Sequence, residues 1–444
     1  MYQTKKTRIS VLLLMMVSVL SGSSAFSQTG ASSAQSPYTI FGPGKILQEG
    51  TAYHKSMGGT GIASRNRRVI NYMNPAALTA RDSLAFMTDF GLTHSDELYK
   101  KGSTYSGSNI TNFNDIVISF PIYKSSAMML GIAPYSGLGY QIASYETNPE
   151  LIGNLGNITK TSTGTGGLYQ LFVGGGVTFW KRLSLGAEFI HYFGKIQKGN
   201  TVIFSSSNYN GVSSGYNMVL RANTAKFGLQ YEQPIGSLTV GVGATYKLDA
   251  PFSGKIEDYK ISTASLMSDT LRYAVNDFSK DKVSIASELG VGASVRYGEK
   301  WRAEVDYVTS YWSRSGMEKV GGFSNESNIK FSATDSRSIR AGFEFIPNVN
   351  DVRYYMRRVS YKAGAYMNRE YYVLDGNMVN SMGFTLGATF PISNQNVRSG
   401  NGVSLSVDFG QRGSVKNNLT RENYITFTIG LNAFDIWFQK SRYQ

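Results

Sequence analysis

Cysteine is absent from the 444 residues. That excludes disulfides, thiolate metal sites and cysteine nucleophiles together. Charge is scarce: Asp, Glu, Lys and Arg make up 17% of the chain, against roughly 25% in an ordinary soluble domain. Long apolar runs are missing as well. The longest lies at residues 11–20, far short of the roughly 20 residues a membrane-spanning helix needs. Abundant instead are glycine, with 48 residues, and aromatics, with 29 Tyr and 24 Phe. Disordered chains show the opposite balance, with few aromatics and many charges.

The one apolar run has the form of an export signal. Lys5, Lys6 and Arg8 precede it, the small-residue stretch 21–27 follows, and Ala25-Phe26-Ser27 occupies the positions a signal peptidase reads. A signal peptide over residues 1–27 leaves 417 of the 444 residues, starting at Gln28. Setting aside its three cations lowers the formal charge from +14 to +11. The basic residues are scattered, with no basic helix or nucleic-acid module, so nucleic acid is not expected as a partner. The charge is expected mainly on loop and rim surface, where it suits anionic lipid headgroups or acidic polymers.

From about residue 83 the chain alternates. Leu238-Thr-Val-Gly-Val-Gly-Ala-Thr-Tyr246 is the clearest case, and residues 382–390, 403–409 and 425–431 repeat it. Such alternation marks half-buried strands. About fourteen runs are counted, an even number as bacterial outer-membrane barrels have. They centre on 83–92, 113–123, 127–138, 167–180, 182–195, 219–233, 237–250, 283–297, 301–314, 336–346, 357–370, 379–391, 402–411 and 422–438. A soluble β-sandwich shares the alternation, but its strands average about five or six residues, whereas many of these reach about ten, enough to cross a bilayer at a tilt. Tight joints at 124–126, 181, 234–236 and 298–300 alternate with long links at 94–112, 139–166, 196–218, 251–282 and 315–335. That asymmetry is expected of a transmembrane antiparallel β-barrel in a Gram-negative outer membrane, with periplasmic turns and outer loops. Aromatics gather at strand ends, at Phe120, Phe179-Trp180, Trp301, Phe390 and Trp437-Phe438, as an interfacial girdle would.

Residues 36–82 do not alternate, and their Gly and Pro density forbids a regular element throughout. Irregular backbone at membrane depth survives only where protein or water surrounds it, so residues 36–80 are expected to plug the barrel. The expected organisation is a signal peptide (1–27), an extension and plug (28–82) and a barrel (83–444). The plug carries Gly58, Gly59 and Gly61, followed by Asn71-Tyr-Met-Asn74-Pro75-Ala76-Ala-Leu78. Taken with the strand count, this order resembles the FadL/OMPP1/TodX family, through Asn74-Pro75-Ala76. The resemblance implies a fourteen-stranded outer-membrane barrel with an N-terminal hatch, passing small hydrophobic molecules. The opening Ser36-Pro-Tyr-Thr-Ile-Phe-Gly42 and the closing 432–438 resemble the Bacteroidota-type branch of that group, which also contains barrels serving secretion machinery. Read from the residues alone, Asn74-Pro75 is an Asx-type turn.

Chemistry is sparse. His54, His94 and His191 fall in three separate elements, so neither a metal site nor an enzyme is expected. By strand parity, Asp89, Glu188, Lys247, Glu288, Arg296, Arg302, Glu304, Asp306, Arg340, Glu344, Lys362 and Asp408 face the lumen. They form either a polar conduit or an ion-pair network bracing wall and plug. The outer links present no greasy groove: 251–282 is charged, and Leu151, Ile152, Leu155 and Ile158 stand among Asn, Thr and Gly. Two functions follow as expectations: passage of hydrophobic molecules, or a non-transporting barrel subunit in an assembly or secretion complex. Expected partners are outer-membrane lipid and lipopolysaccharide, a hydrophobic ligand, and outer-membrane proteins or lipoproteins. No cofactor is expected.

Overall fold

The computed structural model describes residues 34–436, apart from 82–83, 124, 207, 264–267, 279–281, 325–328 and 393–400. The expected signal peptide and Trp437-Phe438 lie outside the described residues. Fourteen antiparallel strands make a closed barrel. They are β1 (Ala85–Lys101), β2 (Thr104–Tyr123), β3 (Ser126–Tyr145), β4 (Ile158–Phe179), β5 (Leu183–Phe204), β6 (Gly211–Ile235) and β7 (Leu238–Lys247). The rest are β8 (Glu288–Tyr297), β9 (Trp301–Ser310), β10 (Ser336–Phe345), β11 (Ser360–Leu374), β12 (Asn377–Pro391), β13 (Gly402–Arg412) and β14 (Arg421–Ile436). The last pairs with the first, from Arg421 opposite Lys100 to Ile436 opposite Ala85. Closure leaves no wall edge with unpaired N–H and C=O groups, which a bilayer would penalise.

Alternation sorts the side chains. Phe90, Phe189, Phe227, Val305, Phe343, Phe384 and Phe427, on seven strands, are between 44 and 53% exposed. So much bare aromatic and aliphatic surface on a closed ring is a lipid-facing band. The intervening positions are small, polar or charged, and many are buried. Each of the fourteen expected runs overlaps one wall strand, though 283–297 also takes in the separate short strand Ser284–Ile285. The tight joints hold too, with Gly236 and Gly298 at positive φ in their turns.

The long links are corrected. Residues 94–112 are not a loop: β1 runs to Lys101, and β2 starts at Thr104 after the turn at Gly102. Likewise 139–145 and 158–166 are strand, as are 196–204 and 211–218. Most of 251–263 pairs with the outer half of β6, then folds back as Ser268–Asn276. The physical reason is that backbone pairing continues beyond the apolar band, where both faces meet water and the hydrophobic signal fades. Of the link 315–335, residues 317–323 do leave the wall and turn inward, with Met317 and Phe323 buried, whereas Phe331–Ala333 pairs with the outer end of β11.

Candidate functional site

Residues 34–80 pack against the inward side of the wall, and the site is built from them. Ser36 caps the turn Pro37–Ile40 by accepting from the Tyr38 amide at 3.1 Å. A short helix, Ala52–Lys55, follows. Gly58 and Gly59 then take φ of 69° and 77°, a left-handed backbone that glycine adopts without a Cβ clash. Asn74 caps the turn Pro75–Ala80 through a 3.0 Å bond from the Ala76 amide to its Oδ1. Its Nδ2 also donates to the Ile62 carbonyl at 2.7 Å and to that of Leu229 on β6 at 3.3 Å. Asn74 is therefore both turn cap and tether between two stretches of this segment and the wall. Asn74→Ala is expected to cost about 1–3 kcal/mol, read as a lower temperature for loss of the heat-resistant folded band on a denaturing gel.

Bonds reach the segment from strands all round the wall. Its residues Lys45–Ile46 pair with Gly137 and Ser136 of β3. The Asn114 amide on β2 donates to the Gly50 carbonyl at 3.2 Å. Lys198 on β5 donates to the Ile40 carbonyl at 2.7 Å, and Gln230 on β6 to that of Ile62 at 2.8 Å. Ser294 on β8 donates to the Ala63 carbonyl at 3.1 Å. From β9, Asp306 Oδ2 accepts from the amides of Gly61 (2.7 Å) and Ile62 (3.0 Å). Tyr53 donates to Glu344 of β10 at 2.6 Å, Tyr371 of β11 to the Gly44 carbonyl at 2.7 Å, and the Gly58 amide to Thr385 of β12 at 2.8 Å. The Ser36 hydroxyl donates to Glu422 of β14. Outer residues close over the segment: the Gly42 amide donates to the Phe323 carbonyl at 2.8 Å, and Phe41 stacks on Phe331.

The structure distributes the residues singled out by parity as follows. Asp306, Glu344 and Arg340 bond the segment directly, Arg340 through the Gly59 carbonyl at 3.2 Å. Arg302 donates to Ser64 and to the Arg65 carbonyl, both at 3.2 Å, with Glu304 at 3.6 Å. Glu188 faces Lys226 at 3.2 Å, which also reaches Glu49 at 3.3 Å. Glu288 pairs with Lys247 at 3.7 Å, and Arg296 with Glu232 at 3.5 Å. Asp89 is buried on β1. Parity did not reveal a second network: Arg412 joins Glu370 (3.1 Å) and Glu422 (3.2 Å), while Lys45 joins Glu97 (2.9 Å). Glu97 would have been found by parity had β1 been carried beyond residue 92. Glu49 has no periodic signal, because it sits on irregular backbone.

His54 is buried, with Nδ1 3.0 Å from the Thr51 hydroxyl. Burial pushes its imidazole down to about 3, so it is neutral at physiological pH. His94 pairs with Asp96 at 3.4 Å, and His191 lies 2.7 Å from Asn223. Among the described residues no three His, Asp or Glu converge as metal ligands. Beside the segment lies a cavity of about 240 Å³ lined in part by Lys45, Lys55, Glu97, Arg340, Asp408 and Arg412. Charged side chains share its lining with apolar ones, among them Ile46, Leu47, Phe113, Val308 and Trp312.

The sequence model of the BamG family matches residues 5–444. The chain belongs to the BamG family. No curated protein matches it. This BamG-family barrel shares its fold with several solved structures. The Pseudomonas putida toluene transporter TodX aligns over 89% of this chain and 100% of its own, at 13% identity and a TM-score of 0.59. The Ralstonia pickettii toluene transporter TbuX gives 89% and 99%, 14% and 0.54. A Pseudomonas aeruginosa FadL homologue gives 88% and 99%, 10% and 0.52.

Proposed function

We propose that this barrel is a closed, non-transporting subunit of an outer-membrane protein assembly, with residues 28–82 as extension and fixed plug and 83–444 as wall. The observation that carries this reading is the interior itself. A small cavity crossed by ion pairs adjoins a segment that is bonded to strand after strand. A hydrophobic solute passing there would have to part the Lys45–Glu97 and Arg412–Glu422 ion pairs and offers the separated charges no partner in return. The ends of the chain, similar to those of the Bacteroidota-type branch, support the same role. Passage of small hydrophobic molecules is the second reading, favoured by the fold shared with TodX and TbuX.

Native purification separates the two. A tag inserted in the exposed outer stretch Pro149–Leu155 leaves β14 intact. Protein partners in fixed ratio, with no discrete hydrophobic ligand, are the expected result. A lone barrel carrying one apolar molecule, together with toluene uptake by liposomes that hold it, would overturn the subunit reading.

A further inference from the structure

The lipid-facing surface is not evenly convex. Across six adjacent strands, β11 to β14 and then β1 and β2, an open groove of about 990 Å³ lies near the outer rim. Leu98, Met367, Phe384, Phe409 and Ile425 line it, with Gly107 opposite Leu98, and Asp96, held by His94 at 3.4 Å, stands at its lower edge on β1, on the far side of Leu98 from Lys100. These side chains point away from the interior, since they alternate with the buried Glu97, Tyr366 and Tyr424. Five strand spacings of about 4.8 Å make the groove on the order of 24 Å wide, more than the two chains of a phospholipid side by side would fill.

Immediately above it stand two cations. Lys100 and Arg421 are directly opposite each other in the β1–β14 register, on the outward face, one outward pair beyond Leu98 and Asn423. Like charges in that position destabilise a strand pair unless an anion lies between them. Neither makes an ion pair among the described residues, and the buried Arg421 Nε has no hydrogen-bond partner among them. Lys100 is held over the Tyr105 ring, 4.8 Å from its centroid. The long outer links rise from this end of the barrel, which places the groove in the outer leaflet.

We infer that this groove binds a phosphorylated glycolipid of the lipid A type. Its phosphate sits between Arg421 and Lys100, and several acyl chains lie across Leu98, Phe409 and Phe384. Arginine suits this role because its guanidinium meets phosphate oxygens in bidentate fashion.

The test is native mass spectrometry of the purified full-length protein, titrated separately with lipid A and with phosphatidylglycerol. Lys100→Ala/Arg421→Ala is expected to weaken lipid A binding about thirtyfold, from two juxtamembrane cations. Gly107→Phe is a second variant that spares the fold: a Cβ there meets only the Glu97 carbonyl, at 3.6 Å, so the ring fills the groove and lipid A is lost. Lys300→Ala, at the opposite end, leaves binding unchanged. Phosphatidylglycerol bound as tightly as lipid A overturns the inference. So does lipid A binding that neither groove variant alters, or no lipid A binding at all. None of these outcomes depends on whether the barrel transports anything.

Discussion

Gly364→Leu is expected to drive the N-terminal segment off the wall while the strands stay paired. A Cβ at Gly364 would stand 2.1 Å from the Gly58 nitrogen and 2.3 Å from the Met57 carbonyl carbon. Both neighbours are backbone, on a stretch already tied by the Gly58–Thr385 bond and by Tyr53 to Glu344. Ordinary overpacking costs about 1–3 kcal/mol through side-chain adjustment; here no side chain can yield, so the upper end or beyond is expected. A loss of about 3 kcal/mol shifts a docked-to-undocked equilibrium by more than a hundredfold. The missing cysteines make the measurement clean. Thr60 is fully buried, so Thr60→Cys introduces one thiol that reacts with a maleimide only when the segment leaves. In that background, labelling should be slow with the native wall and fast with Gly364→Leu. Ala363→Leu, one residue away on the exposed face, should label as slowly as the native wall. Equal rates in all three would mean that the close approach is not maintained in the membrane.

Asp306→Ala should have the second largest effect, through polarity instead of volume. One carboxylate oxygen takes two amide protons, from Gly61 and Ile62, and all three residues are shut away from water. Truncation orphans both donors, and each buried unsatisfied N–H costs about 1–3 kcal/mol. The neighbouring strand is shaped for this contact, since a Cβ at Gly292 would lie 2.2 Å from the Asp306 carboxylate. In the same Thr60→Cys background, Asp306→Ala should label faster than the native wall. Asp306→Asn should fall between the two, because one acceptor oxygen survives. Equal labelling of Asp306→Asn and Asp306→Ala, slowed in neither case by changes of salt, would remove hydrogen bonding to Asp306 as the force that holds the segment.

Much of the barrel was legible because lipid on one side and a polar interior on the other impose a strict period of two. The same parity pointed to Asp306, Glu344 and Arg302. Legibility failed at the outer ends of strands. At 94–112 neither face is uniformly apolar, and only the paired backbone of β1 and β2 marks the strand. Glu97 escaped notice for that reason. Asn74 was legible as a turn residue, whereas its bond to Leu229, 155 positions away, has no local signature.

The sequence by itself determined that the chain forms a barrel, about how many strands it has, and that residues 36–80 hold no long regular element. Periodicity and Gly/Pro density are local, and the bilayer reads them one strand at a time. Only the tertiary structure decided how that irregular segment is held, which glycines leave room for it, and that Lys100 and Arg421 face each other across the closing seam. Those facts depend on register and on contacts between residues hundreds of positions apart, and the side-chain pattern within any one strand does not encode which partner it will meet.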